Sequence, residues 1–223
     1  RRTYVRKHKI HLLLQKVKRK LHFSLCKFRI TGPIRIGERS STRMSPPNII
    51  LITGIMAAGK STVAQRLAER LPASVHLRGD LFRRMIVNGR AEMELELSTE
   101  AHAQLWLRYR LAIHAAQEYR AAGFTVVYQD IVVGKALSEV IAHFAGEPLH
   151  VVVLCPNAET VAQRDEARNK TGYSSTFRAS DFDRILREET PRVGYWLDSS
   201  ACSVDETVDA ILANLDRARI GEK

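Results

Sequence analysis

A glycine-rich segment that begins at residue 54 contains the clearest chemical signal in the chain. Gly54 is followed by four residues and then by Gly59, Lys60 and Ser61, which is the G-x-x-x-x-G-K-[ST] pattern of a phosphate-binding loop. Glycines let the backbone turn tightly, so that its N–H groups point inward and can surround phosphate oxygens. Lys60 would bridge the β- and γ-phosphates, and the Ser61 hydroxyl would hold Mg²⁺. The pattern therefore predicts a site for a nucleoside triphosphate with Mg²⁺.

The segments on either side of this loop provide the structural context that the motif requires. The apolar run at residues 49–53 predicts a buried strand, and residues 62–71 are amphipathic up to Pro72. We expect a helix to begin at about residue 60, so that its positive end faces the phosphates. A chance glycine loop between a strand and a helix is the alternative. The predicted nucleotide contacts are Gly54, Ile55, Met56, Ala57, Ala58, Gly59, Lys60, Ser61 and Thr62.

The positive charge of the chain is concentrated at one end. The formal net charge is +11, but residues 1–43 hold 14 of the 35 basic residues and one of the 24 acidic ones. Residues 44–223 therefore hold 21 basic and 23 acidic residues, and their charge indicates nothing about a substrate. We expect a basic extension at 1–43 and a folded domain at 44–223. The extension is either disordered, or upstream of a natural start at Met44, or a basic amphipathic helix for a membrane, nucleic acid or organelle targeting.

Cysteines and histidines form no chemical cluster in the sequence. Cys26, Cys155 and Cys202 belong to no paired motif, which indicates a reducing compartment such as the cytoplasm and neither disulfides nor a zinc site. His143 and His150 are expected at the surface, since neither belongs to a metal-ligand cluster. No apolar run approaches the roughly 20 residues that a membrane span requires.

The alternation of strand and helix patterns after residue 48 predicts the fold class. We expect an α/β, three-layer P-loop fold with a parallel sheet of five strands and helices on both faces. The fourth strand is the most apolar and is expected to be the most central. The later strands are predicted at 74–77, 124–129, 149–154 and 195–197. Helices are predicted at 81–87, 99–122, 135–144, 159–170, 181–189 and 206–219, whereas 91–97 fits either a strand or a frayed helix.

Asp80 is the first candidate for acid–base chemistry. It follows the second strand, and ligands gather beyond the carboxyl ends of strands in an open parallel sheet. A carboxylate there can accept a proton from an attacking hydroxyl or orient it. Arg83 lies about one helical turn further on and would share a face with it. The alternative is that Asp80 caps the helix at 81–87, and the two roles can coexist.

Asp130 is a candidate for metal binding, because it ends an apolar strand at residues 124–129. A carboxylate at such a position orients Mg²⁺ and its waters in nucleotide-binding proteins. However, many strands end in Asp only because Asp favours the turn that follows. The preceding helix also presents Trp106, Arg108 and Arg110. These residues would line an acceptor pocket or form a solvated basic face with one half-buried Trp, and we favour the solvated face.

Arg164 and Arg168 are the candidate cations of a lid. They lie four residues apart on one face of a predicted helix, and residues 169–175, which contain a glycine, follow as a loop. Two cations next to a mobile loop are typical of a lid that closes over phosphates and excludes water. The alternative is ordinary pairing with Asp165 or Glu159 on the same helix.

Residues 48–216 resemble the small P-loop kinases of the AAA-type ATPase, zeta-toxin and chloramphenicol phosphotransferase-like set. The resemblance depends on the segments GIMAAGKS, RGDLFR, RDEAR, WLDSS and DETV. In this family the G-D-x-x-R motif supplies the base and an arginine that holds the acceptor or a phosphate, which implies these roles for Asp80 and Arg83. It also implies lid roles for Arg164 and Arg168.

Two further expectations come from the same resemblance. The WLDSS segment is similar to the one that flanks adenine, which implies that Ser199 and Ser200 lie nearby. The metal in such kinases can be held by the P-loop serine and waters, which implies Ser61 as its ligand. Residues 88–122 match no part of the family.

The resemblance and the motifs together predict an ATP-dependent phosphotransferase that uses ATP and Mg²⁺. It would move the γ-phosphoryl group to a hydroxyl of a small molecule, with Asp80, Lys60, Arg83 and Arg164 as catalytic residues. One alternative is a nucleic-acid 5′-hydroxyl kinase or a nucleic-acid-binding ATPase, which would use the basic extension. A non-catalytic ATP-binding switch is the other.

Overall fold

The computed structural model describes residues 48–94, 96–167 and 179–221; the predicted extension at 1–43 lies outside these ranges. The strands are β1 (Ile49–Thr53), β2 (Ser74–Arg78), β3 (Thr125–Gln129), β4 (Leu149–Leu154), β5 (Tyr195–Leu197) and β6 (Arg219–Ile220). The helices are α1 (Lys60–Arg70), α2 (Asp80–Arg84), α3 (Thr99–Ala121), α4 (Ala136–His143), α5 (Ala158–Glu166), α6 (Ala179–Arg184), α7 (Val204–Ala213) and α8 (Leu215–Ala218). A π-helical turn, Ile185–Glu189, follows α6. No described helix combines the length and the apolarity that crossing a bilayer requires.

Five strands of the sheet are parallel and lie in the order β2-β3-β1-β4-β5, which confirms the predicted α/β class. Every residue of β1 and β4 is buried, because helices cover both faces of a parallel sheet. The centre is β1, whereas the sequence favoured β4, which lies one place away. Gln129 at the end of β3 is in register with Ile52 of β1 and with Arg78 of β2. The residues that follow these three strands therefore meet on one rim.

The carboxyl end of the chain differs from the expected single helix at 206–219. The helix α7 ends at Ala213, and the side-chain amide of its C-cap, Asn214, donates to the Ala210 carbonyl at 2.8 Å. After the short helix α8, Arg219 of β6 pairs in antiparallel fashion with His150 of β4. The sheet thus has a sixth strand, which sequence periodicity cannot reveal because it is two residues long. His150, which we expected at the surface, is buried next to it.

Three smaller differences concern helices near the site. The predicted helix at 181–189 is instead α6 followed by the π-helical turn, because the Thr190 hydroxyl donates to the Ile185 carbonyl (2.9 Å) and accepts the Gly134 N–H (2.7 Å). The described residues of 91–97 form neither a strand nor a helix. The helix predicted at 81–87 is α2, which begins one residue earlier, at Asp80, and ends at Arg84.

Candidate active site

The phosphate-binding loop connects β1 to α1 as predicted. Gly54 has a φ of +142°, and a Cβ atom there would lie 2.4 Å from the Leu154 carbonyl oxygen, so only glycine fits. Gly59 is the N-cap of α1 in a left-handed conformation, and no side chain caps this helix. The first N–H groups of a helix have no acceptor within it. The start of α1 therefore presents backbone N–H groups to a ligand.

Lys60 lies under this loop. Its side chain is buried, and its ammonium group donates to the Ile55 carbonyl at 2.5 Å. Ile55, Ala57 and Ala58 are each only 1% exposed and belong to the core. Ser61, in contrast, is exposed at the first turn of α1. The Lys60 ammonium and the Ser61 hydroxyl thus lie on either side of the N–H groups at the start of α1.

Arg164 of α5 reaches across to the loop. It donates to the Ala58 carbonyl at 3.5 Å and to the Ser199 carbonyl at 3.0 Å. One of its terminal nitrogens lies 3.6 Å from the position that a Cβ of Gly59 would occupy. The structure therefore brings Arg164 next to the phosphate-binding loop. Arg168 and the loop at 169–175 lie outside the described residues, so a lid stays a prediction.

A pocket of about 270 Å³ opens between the loop, α1, Arg164 and the segment after β5. Ser199 lines it, and the buried Ser199 hydroxyl has no hydrogen-bond partner among the described residues. Cys202 lines the same pocket, although its place in the sequence gave no signal of this. Ser200 faces elsewhere, since its hydroxyl bonds the Asp198 carboxylate and the Asn157 N–H. The Ser200 hydroxyl and the Ser200 backbone N–H both donate to the Asp198 carboxylate, and these two bonds hold the pKa of Asp198 below its usual value.

Asp80 is the first residue of α2 and not its N-cap, which is Gly79. The capping role that the sequence offered as an alternative is therefore wrong. One carboxylate oxygen of Asp80, Oδ2, lies 2.6 Å from the Arg84 guanidinium and 3.6 Å from that of Arg78. The other, Oδ1, is buried without a hydrogen-bond partner in the described part of the chain. The Oδ2 atom thus pairs with two cations, and the Oδ1 atom is left to accept a hydrogen bond.

Arg83 clamps the segment that follows α2. Its guanidinium donates to the Ala91 carbonyl, while the Ala91 N–H donates to Gln104 of α3 at 3.0 Å. Gln104 also donates to the Gly89 carbonyl at 2.7 Å. Burial, followed by the neighbouring Arg90, lowers the pKa of Arg83. The sequence did not identify Gln104, since a buried glutamine on α3 has no pattern of its own.

Asp130 lies at the same rim, but it faces Arg108 of α3. The Arg108 guanidinium forms a two-pronged ion pair with the Asp130 carboxylate, whose side chain is fully buried. The Tyr128 hydroxyl donates to it at 3.1 Å and the Ile131 N–H at 2.7 Å. Burial raises the pKa of the Tyr128 phenol, so it stays a donor, although Arg108 opposes this shift. The expectation that Arg108 belongs to a solvated face is wrong, because a buried carboxylate meets it.

Among the described residues, no three His, Cys, Asp or Glu side chains are grouped so that they could hold a metal ion. An Mg²⁺ ion here would depend on few protein ligands, which is common for Mg²⁺ bound together with phosphates. The exposed Ser61, next to the N–H groups at the start of α1, fits such a site. The predicted metal roles of Ser61 and Asp130 stay predictions.

Comparisons with known proteins agree with this geometry. The sequence profile of the AAA domain family matches residues 49–191, which is more than half of the chain, so the chain belongs to this family. A search of curated protein sequences found no match.

Three solved structures share the fold. An unliganded sugar kinase from Janibacter sp. HTCC2649 has a TM-score of 0.58 and 18% identity, over 78% of this chain and 96% of that one. A tunicamycin resistance protein from Deinococcus radiodurans has a TM-score of 0.58 and 18% identity, over 79% and 99%. APS kinase from Mycobacterium tuberculosis, in complex with AMPPNP and APS, has a TM-score of 0.55 and 19% identity, over 77% and 98%. The chain therefore has the fold of a small P-loop kinase.

Proposed function

We propose that this protein is an ATP-dependent phosphotransferase that moves the γ-phosphoryl group of ATP to a hydroxyl of a small molecule. The observation that supports this most directly is the start of α1. Its uncapped N-terminus and Arg164 adjoin one pocket, and the buried Lys60 donates to the Ile55 carbonyl of the loop that helps to line this pocket. Backbone N–H groups and cations in this arrangement match the charge and shape of a triphosphate. The family and two of the similar structures, a sugar kinase and an APS kinase, agree with a kinase.

ATP and Mg²⁺ fit the residues that are present. The N–H groups of residues 54–62 would surround the phosphates, Lys60 would contact the β- and γ-phosphates, and Ser61 would hold Mg²⁺. The base and ribose would enter the pocket beside Ser199, whose unpartnered hydroxyl can bond a polar group of the nucleotide. When bound, Mg²⁺ would offset negative charge on the phosphates. Arg164 would offset the charge that develops during transfer.

Asp80 would prepare the acceptor. Its Oδ1 atom has no partner among the described residues and can accept the proton of an acceptor hydroxyl, or orient that hydroxyl for attack. Arg84 and Arg78 pair with Oδ2 and orient the carboxylate. Arg83 would help to bind the acceptor, although one of its N–H groups is already bonded to Ala91.

The test is an ADP-release assay with Mg²⁺, ATP and a panel of small hydroxyl compounds that includes sugars, nucleosides and hydroxyl antibiotics. We expect at least one compound to stimulate ADP release and to become phosphorylated, as seen by mass spectrometry of the product. Lys60→Ala should abolish both signals. Binding of ATP without phosphorylation of any compound would favour the non-catalytic switch, and phosphorylation of DNA or RNA 5′ ends would favour the nucleic-acid kinase.

We also propose that the protein works in a reducing compartment, the cytoplasm. In the described part of the chain, Cys155 and Cys202 are free thiols, and free thiols are typical of such compartments. Fractionation of cells that express the full chain would test this, and recovery with a membrane or secreted fraction would contradict it.

A further inference from the structure

Asp130 makes an unusually complete set of contacts at the rim where we place the reaction. Its Oδ1 atom bonds Arg108 and the Ile131 N–H, and its Oδ2 atom bonds Arg108 and the Tyr128 hydroxyl. A carboxylate offers about four acceptor positions, so these four donors occupy all of them. The side chain is 0% exposed. A metal ion or its water shell would therefore have to displace protein donors to reach this carboxylate.

The same carboxylate touches the turn that carries Asp80. A Cβ atom added to Gly79 would lie 1.9 Å from Asp130 Oδ2 and 2.7 Å from its Cγ. Gly79 also donates its N–H to the Gln129 carbonyl at 3.0 Å. The backbone immediately before Asp80 is thus packed against the Asp130 side chain and bonded to the residue preceding it. The glycine of the G-D-x-x-R motif is required here because Asp130 occupies the space of a side chain.

The helix α3 is fastened to this corner by two neighbouring residues. Arg108 makes the ion pair with Asp130, and the Tyr109 hydroxyl donates to the Ile131 carbonyl at 2.7 Å. A guanidinium that binds a carboxylate through two parallel bonds fixes orientation as well as distance. Arg108 and Asp130 therefore set the position of the rim on which α2 begins.

We infer that Asp130, held by Arg108, is a positioning residue that fixes the Gly79 turn and so places Asp80 for the acceptor, and that it does not bind Mg²⁺. This inference rests on the proposed function of Asp80. Arg108 and Gly79 would then affect catalysis without touching the substrate, because they fix the backbone that carries Asp80. The inference also explains why an arginine on α3 is directed into the sheet.

Two variants separate positioning from metal binding. Asp130→Asn replaces the charged carboxylate by a neutral amide. Arg108→Gln removes the cation that pairs with Asp130 and changes no proposed Mg²⁺ ligand. Arg110→Gln, an exposed arginine two residues further on in α3, is the matched control. Arg108→Lys keeps the positive charge and replaces Arg108→Gln if that variant does not fold. Each protein is studied as the full chain.

The first measurement is hydrogen–deuterium exchange of the peptides that cover residues 79–84 and 54–61, which needs no ligand. We expect Asp130→Asn and Arg108→Gln to speed exchange at 79–84 and to leave 54–61 unchanged. Arg110→Gln should change neither. Unchanged exchange at 79–84 in both variants would overturn the inference, even if their melting temperatures fall.

The second measurement is calorimetric titration with AMPPNP over a series of Mg²⁺ concentrations. We expect both variants to bind AMPPNP at the same Mg²⁺ concentration as the wild type does. Their turnover of the acceptor should fall by about a hundredfold, as for a misplaced catalytic group. A role for Asp130 in holding the metal would instead weaken Mg²⁺ binding by about 10–100-fold in Asp130→Asn alone, and would overturn the inference. If the wild type binds no AMPPNP, the proposed function fails, while the exchange result still decides whether Asp130 positions the turn.

Discussion

Replacing Gly54 by Ala tests whether the phosphate-binding loop has the backbone shape that its function needs. The φ of +142° is one that residues with a side chain rarely adopt, and such strain costs about 1–3 kcal/mol. In addition, the new methyl group would lie 2.4 Å from the Leu154 carbonyl oxygen. That oxygen belongs to the buried strand β4 and cannot turn away, so overpacking adds about 1–3 kcal/mol.

Gly123→Ala is the control that isolates this contact. Gly123 also has a positive φ, +93°, but nothing lies within 4 Å of the position of an added Cβ. Its substitution should cost the backbone strain alone. Both variants lose the same conformational freedom in the unfolded chain, so this effect cancels in the comparison. Gly54→Ala should therefore be less stable than Gly123→Ala by about 1–3 kcal/mol, or about 2–12 °C in melting temperature for a domain of this size.

The assay is thermal unfolding of the three proteins with and without Mg²⁺ and AMPPNP. We expect AMPPNP to raise the melting temperature of the wild type and of Gly123→Ala, and to have little effect on Gly54→Ala. The reasoning is refuted if the two variants melt at the same temperature and respond equally to AMPPNP, because the close approach to β4 would then have no consequence.

The remaining predictions concern single side chains. Lys60→Ala should lower turnover by several orders of magnitude in the ADP-release assay, since positioning and charge supply most of the catalysis; normal turnover would contradict this mechanism. Asp80→Asn should abolish transfer but leave AMPPNP binding close to that of the wild type, whereas lost binding would make Asp80 structural. Burial and Arg219 lower the pKa of His150, so the folded state binds fewer protons than the unfolded state. The free energy of unfolding should therefore fall as the pH decreases below about 6.5, the unfolded-state value. Denaturant titrations should show a smaller fall for His150→Gln than for the exposed control His143→Gln; equal falls would refute it.

Features with a local signal were predictable from the sequence. The loop between β1 and α1 combines a fixed glycine spacing with an apolar run before it, and both features lie within residues 49–61. The capping box of α7 is similar, since Ser203 and Glu206 bond one another's backbone in the structure as their spacing predicts. The N-cap of α3 is a further case, since the Ser98 side chain accepts the Ala101 N–H. In each of these elements the interacting groups are neighbours in sequence.

Features that depend on contacts between distant residues were not predictable in this way. Arg108 and Asp130 are 22 positions apart, and nothing in the pattern of α3 distinguishes a paired arginine from a solvated one. The need for glycine at position 79 comes from the side chain of Asp130, which follows β3 and lies 51 positions further along the chain. Arg164 was predictable as a cation, but its contact with Ser199 requires the tertiary fold. These contacts are what turn a nucleotide-binding motif into a defined candidate site.

The most direct test of the account is calorimetric titration of the full chain with Mg²⁺ and AMPPNP, for the wild type and for Lys60→Ala. The account predicts one nucleotide per chain for the wild type, a large loss of affinity in Lys60→Ala, and unchanged affinity in the control Arg110→Gln. A wild-type protein that does not bind AMPPNP, or a Lys60→Ala variant that binds it as tightly, would contradict the claim that the loop at residues 54–61 holds the triphosphate.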